Sequence, residues 1–153
     1  MLNAADPRSV CCGESGRGRS DGGPDARCVA AWAGRAVLAF DAGRAGDAVA
    51  DLDSALALSD DAELRANRAL ALQSLGEHRR AVADLDRALA VLDGDADPEL
   101  LYLRGVSRFG LADDVGGAAD WRAYCAAYGP GDTTPHAEAI RARAGAAPRE
   151  GAA

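Results

Sequence analysis

The most regular polar pattern in this 153-residue chain pairs arginines with aspartates. Arg35, Arg68 and Arg104 each directly precede a small residue, and Asp51, Asp84 and Asp120 each follow sixteen positions later. A guanidinium can meet a carboxylate through two parallel hydrogen bonds, which lysine cannot do. Two uses fit such a series: a charged ladder that holds a ligand, or ion pairs that fix a helical hairpin. The constant offset favours the second use, because each arginine then reaches the aspartate of its own hairpin.

The other reactive side chains support no catalytic reading. All 17 basic residues are arginine, so a phosphate-loop lysine, a Schiff base and a lysine general base are excluded. His78 and His136 have no cysteine or carboxylate at metal or catalytic spacing and read as surface residues. Cys11, Cys12, Cys28 and Cys125 form no CxxC pair and read as unligated thiols of a reducing cytosol. The run Asp93-Gly94-Asp95-Ala96-Asp97-Pro98 alternates carboxylates like a calcium loop. Pro98 and Arg104 stand where that loop needs a glycine and a bidentate glutamate, so a solvated linker is the better reading. The expectation is a protein that is not an enzyme and uses no metal or other cofactor.

Charge narrows the partners. The net charge is −7 and the pI about 4.7. Residues 29–128 hold 17 acids against 10 arginines, whereas residues 1–28 and 129–153 are each balanced. Nucleic acid and anionic membranes both require a basic footprint, so neither is expected as a partner. No stretch approaches the ~18 consecutive apolar residues of a membrane span, and a cytoplasmic location is the default expectation.

These residues have to be positioned by helices. Alanine is abundant and only 5% of residues are aromatic, and alanine costs least in a helix. Residues 1–26, rich in Gly, Ser, Arg and Asp, read as a disordered arm. A helical domain follows over 27–146, with a short disordered tail at 147–153. Within the domain a pattern repeats three times. Small residues at Ala36, Ala69 and Gly105 are followed twelve positions on by Ala48, Ala81 and Gly117. Four further come Leu52, Leu85 and Trp121, and three further Ala55, Ala88 and Tyr124. Gly43, Gly76 and Gly110 are placed to end helices in a left-handed residue, while Asp97-Pro98-Glu99 and Thr134-Pro135 mark helix starts. The predicted helices are 27–41, 45–58, 62–75, 78–92, 98–110, 114–127 and 135–145.

The pattern resembles the tetratricopeptide repeat over roughly residues 29–128. Trp32, Ala36, Gly43, Ala48, Leu52 and Ala55 match the motif in the first unit, and Ala69, Leu72, Gly76, Ala81, Leu85 and Ala88 in the second. The third unit departs from it at Arg108 and Tyr124 and carries Val115-Gly116-Gly117 inside a helix, as a terminal unit can. The resemblance implies an all-α solenoid of three helix-turn-helix hairpins with a C-terminal capping helix, working by protein binding. It also implies a concave groove lined by the first helices: Ala33, Val37 and Phe40, then Ala66, Asn67, Leu70 and Gln73, then Tyr102, Val106 and Phe109. The basic clamp with which some relatives hold a carboxylate tail is missing, so an apolar peptide with basic flanks suits this surface better. The alternative is a structural role in which the groove or the end of the solenoid pairs with a second copy as a homodimer.

Overall fold

The computed structural model describes residues 24–92 and 97–128, together with residue 142. The described residues form six α-helices: α1 Pro24–Asp41, α2 Ala45–Leu56, α3 Ala62–Ser74, α4 His78–Val91, α5 Pro98–Gly110 and α6 Asp114–Tyr128. The predicted helices 27–41 to 114–127 match these within three residues at each end. The predicted capping helix 135–145 lies outside the described residues except at residue 142, as do most of the proposed arm and all of the proposed tail.

Local chemistry sets the helix ends. The Asp61 carboxylate accepts from the backbone N–H of Glu63 at 2.8 Å and so caps α3. Asp97 caps α5 in the same way through Glu99 N–H at 3.0 Å, with Pro98 in the first turn, where a missing N–H costs nothing. Asp113 accepts from Gly116 N–H at 3.0 Å ahead of α6. Each hairpin turns through one left-handed residue. Gly43 and Gly76 have φ of 74° and 75°, and the third turn uses Ala112 at 61° rather than Gly110. Ala112 is the register counterpart of the two glycines, seven residues past the small position, whereas Gly110 still belongs to α5.

The helices pack as consecutive antiparallel hairpins α1/α2, α3/α4 and α5/α6, each leaning on the next. The main core is made by the motif residues. Ala36, Ala48, Leu52, Ala55, Ala69, Leu72, Ala81, Leu85 and Ala88 are all at most 2% exposed, and alanines there let the helix axes approach closely. A smaller cluster around Phe109, Ala118 and Trp121 closes the third hairpin. Gly117 makes room for it: a Cβ at that position would lie 2.9 Å from the Phe109 ring. The glycine that looked like a weak helix former is therefore the space into which Phe109 packs. Cys28, 5% exposed on α1, belongs to the main core and is disulfide-bonded. That corrects the reading of four unligated thiols. Spacing rules exclude a metal set but cannot exclude a bridge between distant cysteines.

Candidate functional site

Each repeated arginine lies against the aspartate sixteen residues on, because antiparallel helices bring the two motif positions side by side. Arg35 donates to Asp51 through Nε at 2.6 Å and through Nη2. Arg68 donates to Asp84 at 2.8 and 2.6 Å, and Arg104 to Asp120 at 2.9 and 2.6 Å. The aspartates are only 3–5% exposed, so these pairs sit within the packed hairpins rather than in the groove. In the later units the same arginines also reach back one hairpin, Arg68 to Asp53 at 2.6 Å and Arg104 to Asp86 at 2.7 Å. Asp53 and Asp86 are register counterparts, so the ladder ties neighbouring units as well as the two helices of one unit.

Second arginines join two of the buried carboxylates. Arg108 donates to Asp120 at 2.9 Å, which accounts for a charge where an apolar residue was expected. Arg65, 7% exposed, occupies the position of Trp32 in unit one and Leu101 in unit three. It donates to Asp60 at 2.6 Å and approaches Asp84 at 3.4 Å. The hydrogen bond from Arg65 pulls the Asp60 carboxyl below its ordinary value of 3.8. The guanidinium pKa values of Arg65, Arg68 and Arg104 are all raised, first by their hydrogen bonds to Asp60, Asp84 and Asp120 and against the cost of burial.

The expected groove residues fall into three groups. Val37, Phe40, Asn67 and Leu70 come together around an open apolar pocket between α1 and α3, floored by Ala36, Ala48, Leu52 and Ala71. Its volume is about 140 Å³, similar to the ~150 Å³ apolar cavity that admits benzene. Val37 is 48% exposed at its edge, and Asn67 is the one polar side chain in its lining. Ala33 and Ala66 are half-buried supports packed on the main core. Tyr102 and Val106 lie at the far end, where Tyr102, Trp121 and Tyr124 form an aromatic cluster with ring centroids 5.1–5.8 Å apart.

Two groove expectations need correcting. Phe109 is 6% exposed and points into the third hairpin, because Gly117 opens a space for its ring there. Gln73 donates to Leu103 O and Ser107 Oγ, both at 2.7 Å, and so straps α3 to α5. The floor alanines and Tyr124 were read only as motif positions. Nothing in the sequence marks which small residues leave a pocket above them.

His78 also departs from expectation. It is half-buried, and its ring lies 2.5–2.7 Å from where a Cβ on Gly110 would be. That contact explains the glycine at 110. His78 Nδ1 and Trp121 Nε1 are buried without hydrogen-bond partners among the described residues. Asp97, the described carboxylate of the acidic linker, acts as the α5 cap; Asp93 and Asp95 lie outside the described residues. No described helix is long and apolar enough to cross a membrane.

Three stacked hairpins with small residues at every helix crossing define the tetratricopeptide-repeat fold, and solved structures show the same arrangement. The Arabidopsis OM64 TPR domain superposes with a TM-score of 0.69 at 21% identity, covering 78% of this chain and 96% of that one. The Sgt2 TPR domain from Aspergillus fumigatus gives 0.65 at 20% identity, covering 75% and 76%. The second TPR domain of human RPAP3, solved in complex with the HSP70 peptide SGPTIEEVD, gives 0.64 at 22% identity, covering 76% and 98%. No protein-family model matches the sequence, and no curated protein matches it.

Proposed function

We propose that this chain is a non-catalytic protein-interaction module whose concave face holds an apolar segment of a partner protein flanked by basic residues. The observation that carries the proposal is the open pocket between α1 and α3. It is apolar, sized for one aromatic or large aliphatic side chain, and edged by the exposed Val37. A concave, preformed apolar pocket with a single polar group is the usual form of a recognition site.

Charge supports the basic flanks. Glu63 and Glu99 are exposed in the first turns of α3 and α5, three residues before Ala66 and Tyr102 and so on the same helix faces. The arginines of α3 and α5 are meanwhile drawn toward carboxylates of the ladder. The HSP70 peptide bound by the RPAP3 domain is acidic; on this face, acidic residues would meet Glu63 and Glu99. A ligand of opposite charge pattern associates faster and pairs better.

Fluorescence polarisation tests this with a displayed peptide library and its charge-inverted copy. The expected winners carry one Phe, Leu or Ile anchor between arginines or lysines, bind with micromolar dissociation constants, and lose at least tenfold in affinity to Val37→Asp. Equal binding of charge-inverted peptides, or indifference to Val37→Asp, would overturn the proposal.

A further inference from the structure

Helix α1 has 18 residues where the other first helices, α3 and α5, have 13 each. Its extra length lies at the N-terminal end and brings in Arg27. Along it, Arg27, Ala31, Gly34, Leu38 and Asp41 follow one another at spacings of 4, 3, 4 and 3. At 100° per residue they lie within about 40° of a common direction, a heptad seam like those that pair helices. The seam points away from the core residues Trp32, Ala36 and Ala39. Leu38 on it is 69% exposed, and a Cβ on Gly34 would meet nothing within 4 Å.

Register comparison shows what this face is for. In units two and three the counterparts of Ala31 are Leu64 and Leu100, 6% and 5% exposed, and those of Leu38 are Ala71 and Ser107, both fully buried. There the preceding hairpin covers a large residue and then a small one. Unit one reverses the sizes, small at 31 and large at 38, so a regular preceding hairpin would collide with Leu38. An antiparallel copy of α1 would not. A two-fold axis at Gly34 sets Leu38 of each chain against Ala30 and Ala31 of the other, large into small. It also sets Arg27 opposite Asp41, and it opposes the two helix dipoles favourably.

We propose that two copies of this chain dimerise through α1, antiparallel about Gly34. Leu38 packs into the Ala30–Ala31 recess and Arg27 pairs with Asp41 across the interface. Charge agrees with a self-partner. The chain carries −7, yet an open groove of about 550 Å³ flanking Leu38 has a balanced border of Arg35, Arg44, Asp47 and Asp51. Arg44 and Asp47 in that border are exposed and pair with each other at 2.7 Å, as Arg35 does with Asp51, so the border presents no net charge to a second copy. Val37, which borders the pocket, and Leu38, on the seam, leave α1 about 100° apart, so the pocket and the seam lie on different sides of the helix. Dimerisation would thus leave the pocket open, and each proposal can fail without the other. Head-to-tail stacking is disfavoured because Arg122 holds the register position of Asp53 and Asp86, so it would face Arg35 of the next copy with like charge.

Sedimentation equilibrium of the full chain from 1 to 300 µM tests the dimer, with melting curves for every variant. The wild type should dimerise with a dissociation constant on the order of micromolar, as expected for an interface at the small end of the stable range. Leu38→Glu should raise that constant at least tenfold without lowering the melting temperature of the dilute monomer. Arg27→Asp and Asp41→Arg should each raise it severalfold, and the two together should restore it. A wild type monomeric at 300 µM would overturn the proposal. So would a dimer indifferent to Leu38→Glu and to the charge swap. A monomer whose melting temperature falls with Leu38→Glu would give the face to another part of the same chain, and would also overturn it.

Discussion

Asp84→Ala tests whether the arginine–aspartate ladder is scaffold. Asp84 is 5% exposed and accepts two hydrogen bonds from Arg68 and a longer one from Arg65. Truncating it leaves two guanidinium groups, with side chains 8% and 19% exposed, without their buried partner. Removing one member of a buried pair costs about 3–5 kcal/mol. Here Arg65 keeps Asp60 and Arg68 keeps Asp53, both exposed, so the lower end applies, about 3 kcal/mol. For a helical domain of ~100 residues, that lowers the melting temperature by roughly 12–24 °C. Asp51→Ala should cost less, about 1–2 kcal/mol, because the Arg35 side chain it abandons is 42% exposed and can hydrate. Asp60 is a poor surface control, since it holds the buried Arg65; the exposed Glu77–Arg80 pair serves instead, and Glu77→Ala should cost under about 0.5 kcal/mol. Arg68→Met with Asp84→Leu should recover at least half of the loss by replacing the pair with apolar packing. Urea unfolding read by circular dichroism measures all of these. An Asp84→Ala loss no larger than that of Glu77→Ala would refute the scaffold reasoning and return the ladder to candidate ligand site.

Three further predictions rest on backbone, packing and charge. Ala112→Gly should stabilise the chain by about 0.5–1 kcal/mol, because only glycine adopts φ near 61° without strain, while Gly43→Ala and Gly76→Ala should each cost about 1 kcal/mol although their surroundings are open. Gly117→Ala should destabilise by about 1–3 kcal/mol through collision with the Phe109 ring, whereas Gly46→Ala, with nothing within 4 Å, should stabilise α2 by up to about 1 kcal/mol; the same unfolding curves decide both. Asp60→Asn bears on pH. The Asp60 carboxyl is lowered in the folded state, so its contribution is present above pH 3.8 and lost as the pH falls through the folded value. The stability gap between wild type and Asp60→Asn should therefore be seen at pH 6 and shrink steadily below pH 4, and a gap independent of pH would contradict the Arg65–Asp60 assignment.

Much of the fold was legible because the constraint behind it is periodic. Helices crossing closely three times need small residues at the same two places each time, and Ala36, Ala69 and Gly105 with Ala48, Ala81 and Gly117 record that requirement. The sixteen-residue Arg–Asp offset was legible for the same reason. What escaped depends on single neighbours in space. Gly110 read as a helix terminator, but it is small because His78 lies over it. Phe109 read as a groove residue because it holds the register position of Phe40 on the first-helix face that the repeat resemblance assigns to the groove, and only the glycine eight residues later turns it inward. Arg65 has no apolar counterpart's role at all; its place in the interior follows from Asp60 and Asp84, which the motif does not link to it. Leu38 was passed over because an end face is visible only once the units are stacked and compared.

The central claim is that the pocket between α1 and α3 receives an apolar side chain of a partner with basic flanks. Amide chemical-shift mapping tests it most directly, with the best basic-flanked peptide titrated into the full chain. Saturable shifts centred on Val37, Phe40, Asn67 and Leu70, abolished by Val37→Asp, are the predicted result. Shifts centred on α4 and α6, or none at millimolar peptide, would contradict it.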